Sequence, residues 1–238
     1  MPITEVVLCP LVPGSDICGS HEAAGAALRD TVDGLHRCSG CQQFIAGMQL
    51  ENVDMMEAFI TWESLEKYHE FRKTPDHGVV VANLIKLRIK PLTPYHVEFR
   101  PFTAFMRATE APVTEVATFY FDGSAPTGVL DRFTRFREVL NKQHVSGVLG
   151  AAAGLSHEEL ESEGVKGTAA VLLIGWESVD AHMAFQKTEL FKDSVGLLPV
   201  TEAKRVDMVR PNTKIELGSS FANVGLLSQH HTSFAAFR

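Results

Sequence analysis

The sequence predicts an α+β protein made of two copies of one unit, each roughly 100 residues long. The stretch ITWESLEKYHEFRKT at 60–74 recurs as IGWESVDAHMAFQKT at 174–188. The strand-like run ITEVVLCPL near the start is matched by VTEVATFYF from residue 113, and Arg-Pro recurs at 100–101 and 210–211. An internal copy at a fixed spacing indicates duplicated units that bury a core together.

Each copy begins with a strand and then a helix. In the first copy Ser20 precedes an apolar stripe at helical spacing, formed by Ala24, Leu28, Val32 and Leu35. In the second copy the stripe is Val129, Phe133, Phe136 and Leu140. The stripes predict one helix per copy, with Ser20 as the cap of the first.

Two strands, a second helix and a last strand complete each copy. The strands are QQFIAGMQL and MMEAFITW in the first copy, and GVLGAAAGL and AAVLLIGW in the second. Ser64 and Ser178 stand where the second helices begin, and YHVEFRP or RVDMVRP forms the last strand. The order β-α-β-β-α-β is the ferredoxin-like arrangement, with two helices on one face of a four-stranded antiparallel sheet.

Such a sheet leaves its second face bare, so we expect the two antiparallel sheets to pack against each other in one α+β barrel. The predicted boundaries are 1–101 for the first repeat, 102–112 for a linker, 113–211 for the second repeat and 212–238 for a tail. Apolar residues in the linker and the tail predict that both lie on the barrel surface.

Composition excludes several classes of protein. The net charge of −7 comes from 29 acidic and 22 basic residues, and no Lys/Arg-rich run offers a face for nucleic acid. The amino terminus carries no basic segment before an apolar block, and no apolar run is long enough for a membrane span. We therefore expect a cytoplasmic protein that binds neither nucleic acid nor membrane.

The four cysteines, Cys9, Cys18, Cys38 and Cys41, all precede residue 42, and HRCSGC contains a C-x2-C beside His36. A structural zinc site needs a second ligand pair at comparable spacing, which Cys9 and Cys18 do not supply. A redox pair needs a βαβ context that is absent here. Zinc and redox roles stay open, but ordinary reduced cysteines and no metal are the expectation.

The stretch ITWESLEKYHEFRKTPDHGVV at 60–80 resembles the strand, helix and Pro-x-His segment of stress-responsive proteins in the dimeric α+β barrel superfamily. This superfamily also includes the antibiotic-biosynthesis monooxygenases, and the resemblance spans most of residues 3–211. Members usually build the barrel from two chains. The resemblance therefore implies a pseudo-dimer within one chain, and it leaves a further homodimer open.

The resemblance also places candidate catalytic residues. His77 falls on the position of the family's catalytic histidine, whereas two pocket histidines of polyketide-cyclising relatives are replaced here by Glu5 and Glu57. Two carboxyls near an imidazole can act as general acid and base. The alternatives are a solvated strand end for Glu5, an edge position for Glu57 and a surface or capping role for His77.

Residues expected to contact substrate are Tyr68, His69, Phe71, Trp62 and Phe59. A structural anchor at the end of its strand is the alternative for Trp62. In the second copy Glu57 is replaced by Val171 and His77 by Phe191. We therefore expect the active pocket in the first repeat and a scaffold role for the second.

Together these features predict an enzyme that needs no cofactor and acts on a hydrophobic aromatic or polyketide-like molecule by acid/base chemistry. Cyclisation, dehydration or rearrangement in secondary metabolism is the expected reaction. One alternative is a monooxygenase in which the substrate itself activates oxygen, and another is a non-catalytic stress or ligand-binding protein. No dinucleotide fingerprint, P-loop or H-E-x-x-H motif is present in the sequence.

Overall fold

The computed structural model describes residues 1–17 and 22–209, and the backbone of 211–214. Ser20, Cys18 and the tail beyond 214 lie outside the described residues, so the predictions made for Cys18 and the tail stay predictions. The first helix begins at Ala23 with Glu22 as its N-cap residue, so the expectation that Ser20 caps it is wrong. The chain divides into two compact units, 1–94 and 95–212. The strand expected to end the first repeat is thereby grouped with the second unit.

The described residues of the first unit up to residue 94 form three strands and three helices: β1 (Ile3–Pro10), α1 (Ala23–Arg37), β2 (Cys41–Gln49), β3 (Met55–Trp62), α2 (Leu65–Phe71) and α3 (Pro75–Leu87). Strand β3 lies in the centre and pairs antiparallel with both β1 and β2. One face of these strands packs on α1 and α3, with Met56, Ala58, Ile60 and Trp62 from β3 in the core.

The second unit contains β4 (Tyr95–Val97), α4 (Phe102–Thr109), β5 (Val113–Tyr120), α5 (Val129–Lys142), β6 (Val148–Leu155), β7 (Leu160–Ser162), β8 (Val165–Gly167), β9 (Ala169–Trp176), α6 (Val179–Gln186), α7 (Glu189–Val195) and β10 (Arg205–Val209), followed by β11 (Pro211–Lys214). Its antiparallel sheet has the order β10-β5-β9-β6. This is the strand order of a ferredoxin-like unit.

The second helix of each repeat begins where the sequence predicts. The hydroxyl of Ser64 accepts a hydrogen bond from the backbone N–H of Lys67, and that of Ser178 accepts one from Ala181. Each predicted helix is nevertheless divided in two. The hydroxyl of Thr74 caps α3, which has Pro75 in its first turn. The hydroxyl of Thr188 likewise caps α7.

The predicted linker is in fact the helix α4, which packs on β6 and β9. Glycine makes this approach possible. A Cβ added to Gly175 would lie 2.6 Å from the Cα of Ala108, and one added to Gly150 would lie 2.6 Å from the carbonyl oxygen of Ala104. The linker therefore covers the sheet face opposite to α5, α6 and α7.

The hairpin formed by β7 and β8 is not predicted from the sequence. Its turn residues Glu163 and Gly164 have φ angles of 48° and 83°, which suit a tight two-residue turn. Strands of three residues carry too few side chains to show an alternating pattern. The α+β class and the tandem antiparallel units are confirmed, whereas their closure into one barrel stays a prediction.

The contact between α4 and the glycines generates a stability prediction. Gly175→Ala should lower the free energy of unfolding by about 1–3 kcal/mol, because the new methyl group overlaps the backbone of Ala108. Gly196→Ala is the matched control, since Gly196 has a helical φ of −64° and no atom near its added Cβ. Urea denaturation of both variants gives the comparison, and equal stabilities would contradict the close approach of α4.

Candidate functional site

Five of the predicted site residues form one cluster between the sheet and the helices of the first unit. Glu5 lies on β1 with 8% of its surface exposed, and its Oε2 accepts a hydrogen bond of 3.1 Å from the indole N–H of Trp62. The ring of Trp62 is fully buried, and its centroid is 5.6 Å from that of Tyr68 and 5.1 Å from that of Phe71. His77 contacts Phe71 edge-on at 5.4 Å. We call these five residues the helix-side cluster.

The second unit repeats this cluster. The indole N–H of Trp176 donates to Oε2 of Glu115 at 3.0 Å. His182 replaces Tyr68, stacks on Trp176 at 4.9 Å and places its Nε2 3.3 Å from the same carboxylate. Phe185 and Phe191 replace Phe71 and His77, again in edge contact at 5.4 Å. The bond between Glu and Trp is therefore a part of the fold in both units.

This repetition changes the interpretation of Glu5 and Trp62. A solvated strand end for Glu5 is wrong, because the side chain is buried and bonded to the indole. The structural anchor considered for Trp62 agrees with its burial and with the matching bond of Trp176. His69 is exposed and lies beside Tyr68, with ring centroids 5.4 Å apart, so it borders the helix-side cluster from outside.

His77 lies in the first turn of α3, where its backbone N–H donates to Oγ1 of Thr74 at 3.4 Å. The backbone of His77 thus takes part in the cap that Thr74 forms. The His77 side chain is half-buried. Burial, assisted by the charge of Arg72, lowers the pKa of the imidazole below its ordinary value. The ring is therefore neutral at neutral pH and could accept a proton.

Glu57 and Phe59 lie on the opposite face of the sheet from the helix-side cluster. Glu5 pairs with Ile60 in the antiparallel register, so these two side chains point to the same face. Glu57 is three residues before Ile60 and points the other way, because side chains alternate along a strand. The expected grouping of Glu5, Glu57 and His77 in one pocket is therefore wrong.

The environment of Glu57 is unusual for a carboxyl group. The side chain is 1% exposed and lies on the central strand, so the edge position considered for it is also wrong. Its Oε2 accepts a hydrogen bond of 3.3 Å from Nε2 of Gln49. Burial raises the pKa of Glu57 to about 7, although the bond from Gln49 acts in the opposite direction. Val171 stands at this position in the second unit, so the fold itself does not require a carboxyl.

Two further polar side chains share the sheet face of Glu57. Thr61 is paired with Gln43, and both Oγ1 of Thr61 and Oε1 of Gln43 are buried without a hydrogen-bond partner among the described residues. The corresponding pair in the second unit is Gly150 and Gly175, on which α4 packs. The first unit thus has oxygen atoms where the second has glycines beneath a helix.

The spacing along β3 separates these polar groups. Glu57 and Thr61 are four residues apart, which corresponds to about 13 Å between their Cα atoms, and Phe59 lies between them. We call Glu57, Gln49, Phe59, Thr61 and Gln43 the Glu57 face. Among these residues, the sequence predictions include only Glu57 and Phe59. Thr61 and Gly175 occupy equivalent positions in the two repeats. A comparison of the repeated sequences is therefore the signal that could have found Thr61.

The second unit is more than the apolar scaffold expected from the sequence. Besides the buried pair of His182 and Glu115, it holds a pocket of about 250 Å³ between α5 and β6. Within the described ranges, no group of three or more His, Cys, Asp or Glu side chains is arranged to hold a metal ion. Cys9, Cys38 and Cys41 are free thiols.

No helix in the described part of the chain combines the length and the apolar character that crossing a bilayer requires.

The buried carboxyl of Glu57 generates a pH-dependent stability prediction. The native pKa of about 7 lies above the ordinary value of 4.5, so between these values the native state holds a proton that the unfolded state lacks. The free energy of unfolding should therefore fall as pH rises through this window, by about 3 kcal/mol in total, and become constant above it. Glu57→Gln removes this contribution.

Urea denaturation of wild type and Glu57→Gln between about pH 4 and pH 8 gives the measurement. As pH rises, the free energy of unfolding of the wild type should fall relative to that of Glu57→Gln. A difference that does not depend on pH would mean that Glu57 titrates as an exposed carboxyl does.

No protein-family model matches the sequence, and no curated protein matches it. Solved structures do match across both units. A protein described as anthrone oxidase-like shares 14% identity and a TM-score of 0.60, over 88% of this chain and 90% of its own. A provisionally assigned monooxygenase of Fusobacterium nucleatum shares 12% identity and a TM-score of 0.58, over 90% of this chain and 93% of its own.

A second provisionally assigned monooxygenase, from Lactobacillus acidophilus, shares 9% identity and a TM-score of 0.54, over 90% of this chain and 94% of its own. At such identities the likeness concerns the fold. These chains match over nearly their whole length, which is the length of both units together. The chain therefore shares with these structures the tandem ferredoxin-like fold that the repeated sequence predicts.

Proposed function

We propose that the protein is a cofactor-independent oxygenase of a hydrophobic aromatic ketone or phenol, with Glu57 as its general base. The observation that carries the proposal is the burial of this one carboxyl on a sheet face where the second unit has Val171. A buried carboxyl costs stability, and a pKa of about 7 keeps both its protonation states populated near neutral pH. That property is what a group needs to take up a proton and return it in one turnover.

An anthrone-type substrate, which has an acidic CH2 group between aromatic rings, illustrates the chemistry. The carboxylate of Glu57 removes one proton from the CH2, and the resulting carbanion transfers an electron to O2. The two radicals combine to form a C–O bond, and the peroxide oxygen takes up a proton. Loss of the second C–H proton breaks the O–O bond, so that the products are a ketone and water. One O2 is consumed for each CH2 that becomes C=O.

The rest of the Glu57 face would position this substrate. Phe59 offers an aromatic surface next to Glu57 on the same side of β3. Neither Oγ1 of Thr61 nor Oε1 of Gln43 has a hydrogen-bond partner among the described residues. At the far end of the substrate both could accept from a hydroxyl group, and the Thr61 hydroxyl could donate to a carbonyl. This arrangement favours a flat molecule that reaches from Glu57 towards Thr61, whose Cα atoms are about 13 Å apart.

The comparisons support oxidation over the other reactions considered. Among the matching structures are provisionally assigned monooxygenases and an anthrone oxidase-like protein. Cyclisation, dehydration or rearrangement of a polyketide-like substrate would use the same base without oxygen. A non-catalytic ligand-binding protein would have no use for the proton affinity of Glu57.

In this proposal the helix-side cluster supports the sheet and does not take part in the chemistry. Trp62, Tyr68 and Phe71 fill the space that Trp176, His182 and Phe185 fill in the second unit. His77 is the member that could still act as a base, because Phe191 replaces it and its imidazole is neutral. It lies on the other side of the sheet from Thr61 and Gln43, which supports Glu57 as the base of the proposed reaction.

Oxygen consumption with anthrone as substrate tests the proposal. Wild type should consume one O2 per anthraquinone formed, and Glu57→Gln should lower kcat by at least about 100-fold, since a positioned base contributes 10²–10⁴-fold. His77→Phe is the matched control, because the second unit shows that Phe fits there. It should retain activity.

Three outcomes would contradict the proposal. Loss of activity in His77→Phe with full activity in Glu57→Gln would move the chemistry to the helix side. Product formation without oxygen uptake, using a linear polyketone, would indicate a cyclase. Saturable anthrone binding without turnover would indicate a ligand-binding protein.

The pH dependence of kcat/KM gives a second prediction. Since the reaction needs the carboxylate, kcat/KM should rise with pH to a plateau, with a midpoint at about 7 in wild type. Anaerobic binding of anthraquinone, measured by its absorbance, controls for pH effects on the ligand. A midpoint near the ordinary value of a carboxyl, or a profile unchanged in Glu57→Gln, would exclude Glu57 as the base.

A further inference from the structure

The pocket of the second unit lies between helix α5 and the edge strand β6, far along the chain from Glu57. Its lining residues are Arg100, Leu130, Asp131, Phe133, Thr134, Arg137, Ala151, Ala152, Ala153 and Leu172. Phe133, Ala151, Ala153 and Leu172 are buried and form an apolar floor. The polar residues of the lining, by contrast, are exposed or half-buried, so they form the rim.

A comparison of the repeats explains why this pocket is open. Ala151 pairs with Ile174 in the second unit, and Phe44 pairs with Ile60 at the same register position in the first. The Phe44 ring packs against the core there, whereas Ala151 leaves that space unfilled. On the neighbouring strand the larger Leu172 replaces Ala58, so the space arises at Ala151.

The rim carries two arginines, Arg100 and Arg137, together with the carboxylate of Asp131. The guanidinium group of Arg100 binds Oε1 of Glu98 through Nη2 at 2.8 Å and through Nε at 3.1 Å. Arg137 is half-buried, and within the described part of the chain it forms no ion pair. Thr134 lies one helical turn before Arg137, on the same side of α5, and can add a hydroxyl donor.

We propose that this pocket binds a small aromatic carboxylate, with Arg137 holding the carboxylate and the alanine floor holding the ring. Guanidinium pairs with carboxylate through two parallel N–H···O bonds, which suits a planar acid at the rim. A volume of about 250 Å³ lies just below the range for drug-sized ligands, so a single ring fits best. The proposal rests on the second unit alone and does not depend on Glu57.

Fluorine NMR of 4-fluorobenzoate with the full chain tests this site. Wild type should give a saturable shift, and 4-fluorobenzamide, which has the same shape without the charge, should bind at least about ten-fold more weakly. Arg137→Gln should weaken benzoate binding by a similar factor. Ala151→Phe should abolish it, because the new ring fills the space that Phe44 fills in the first unit.

Arg135→Gln is the matched control, since Arg135 is exposed on the same helix outside the pocket lining. It should bind 4-fluorobenzoate as wild type does. Thr134→Val provides a milder variant if Ala151→Phe fails to fold, and it should weaken binding without changing the helix. Equal binding of acid and amide, no saturable shift, or full binding by Ala151→Phe would each overturn the proposal.

Discussion

Alternation of side chains along strand β3 is the constraint on which the rest of the first unit depends. The strand lies in the centre of its sheet, and its residues from Met56 to Trp62 are buried on both faces. Trp62 and Ile60 point to the helices, whereas Glu57 and Phe59 point to the other face. One strand thus builds an aromatic core on one side and places a carboxyl with a raised pKa on the other. A shift of one residue in register would exchange these two roles.

The internal repeat separates what the fold needs from what it does not. The bond from Trp to Glu occurs in both units, at 3.1 Å and 3.0 Å, and the aromatic side chains around it are matched in position. Glu57 has no counterpart, since Val171 fills its place. Thr61 and Gln43, whose side-chain oxygens have no hydrogen-bond partner in the described part of the chain, have no counterparts either, because Gly175 and Gly150 admit α4 there. Differences between equivalent positions are therefore the best indicators of function in this chain.

Much of the fold could be predicted because it depends on local patterns. Alternating strands, Ser64 and Ser178 as caps, and the copied Trp-Glu-Ser segment all follow from neighbouring residues. The candidate site depended on register between strands that are distant in sequence. The alternation of β1 and β3 was evident separately, but only the pairing of Glu5 with Ile60 shows that Glu5 and Glu57 face apart. The pocket at Ala151 likewise requires knowing that this residue is equivalent to Phe44.

Titration of the Glu57 carboxyl shows most directly whether this group holds a proton at neutral pH. Carbon-13 NMR of protein labelled at glutamate side-chain carboxyls, with Glu57→Gln used to assign the resonance, would follow this group alone. We expect a midpoint near pH 7 for Glu57, well above that of the exposed glutamates. A midpoint at the ordinary value for a carboxyl would contradict it, since Glu57 would then be solvated and could not hold a proton at neutral pH.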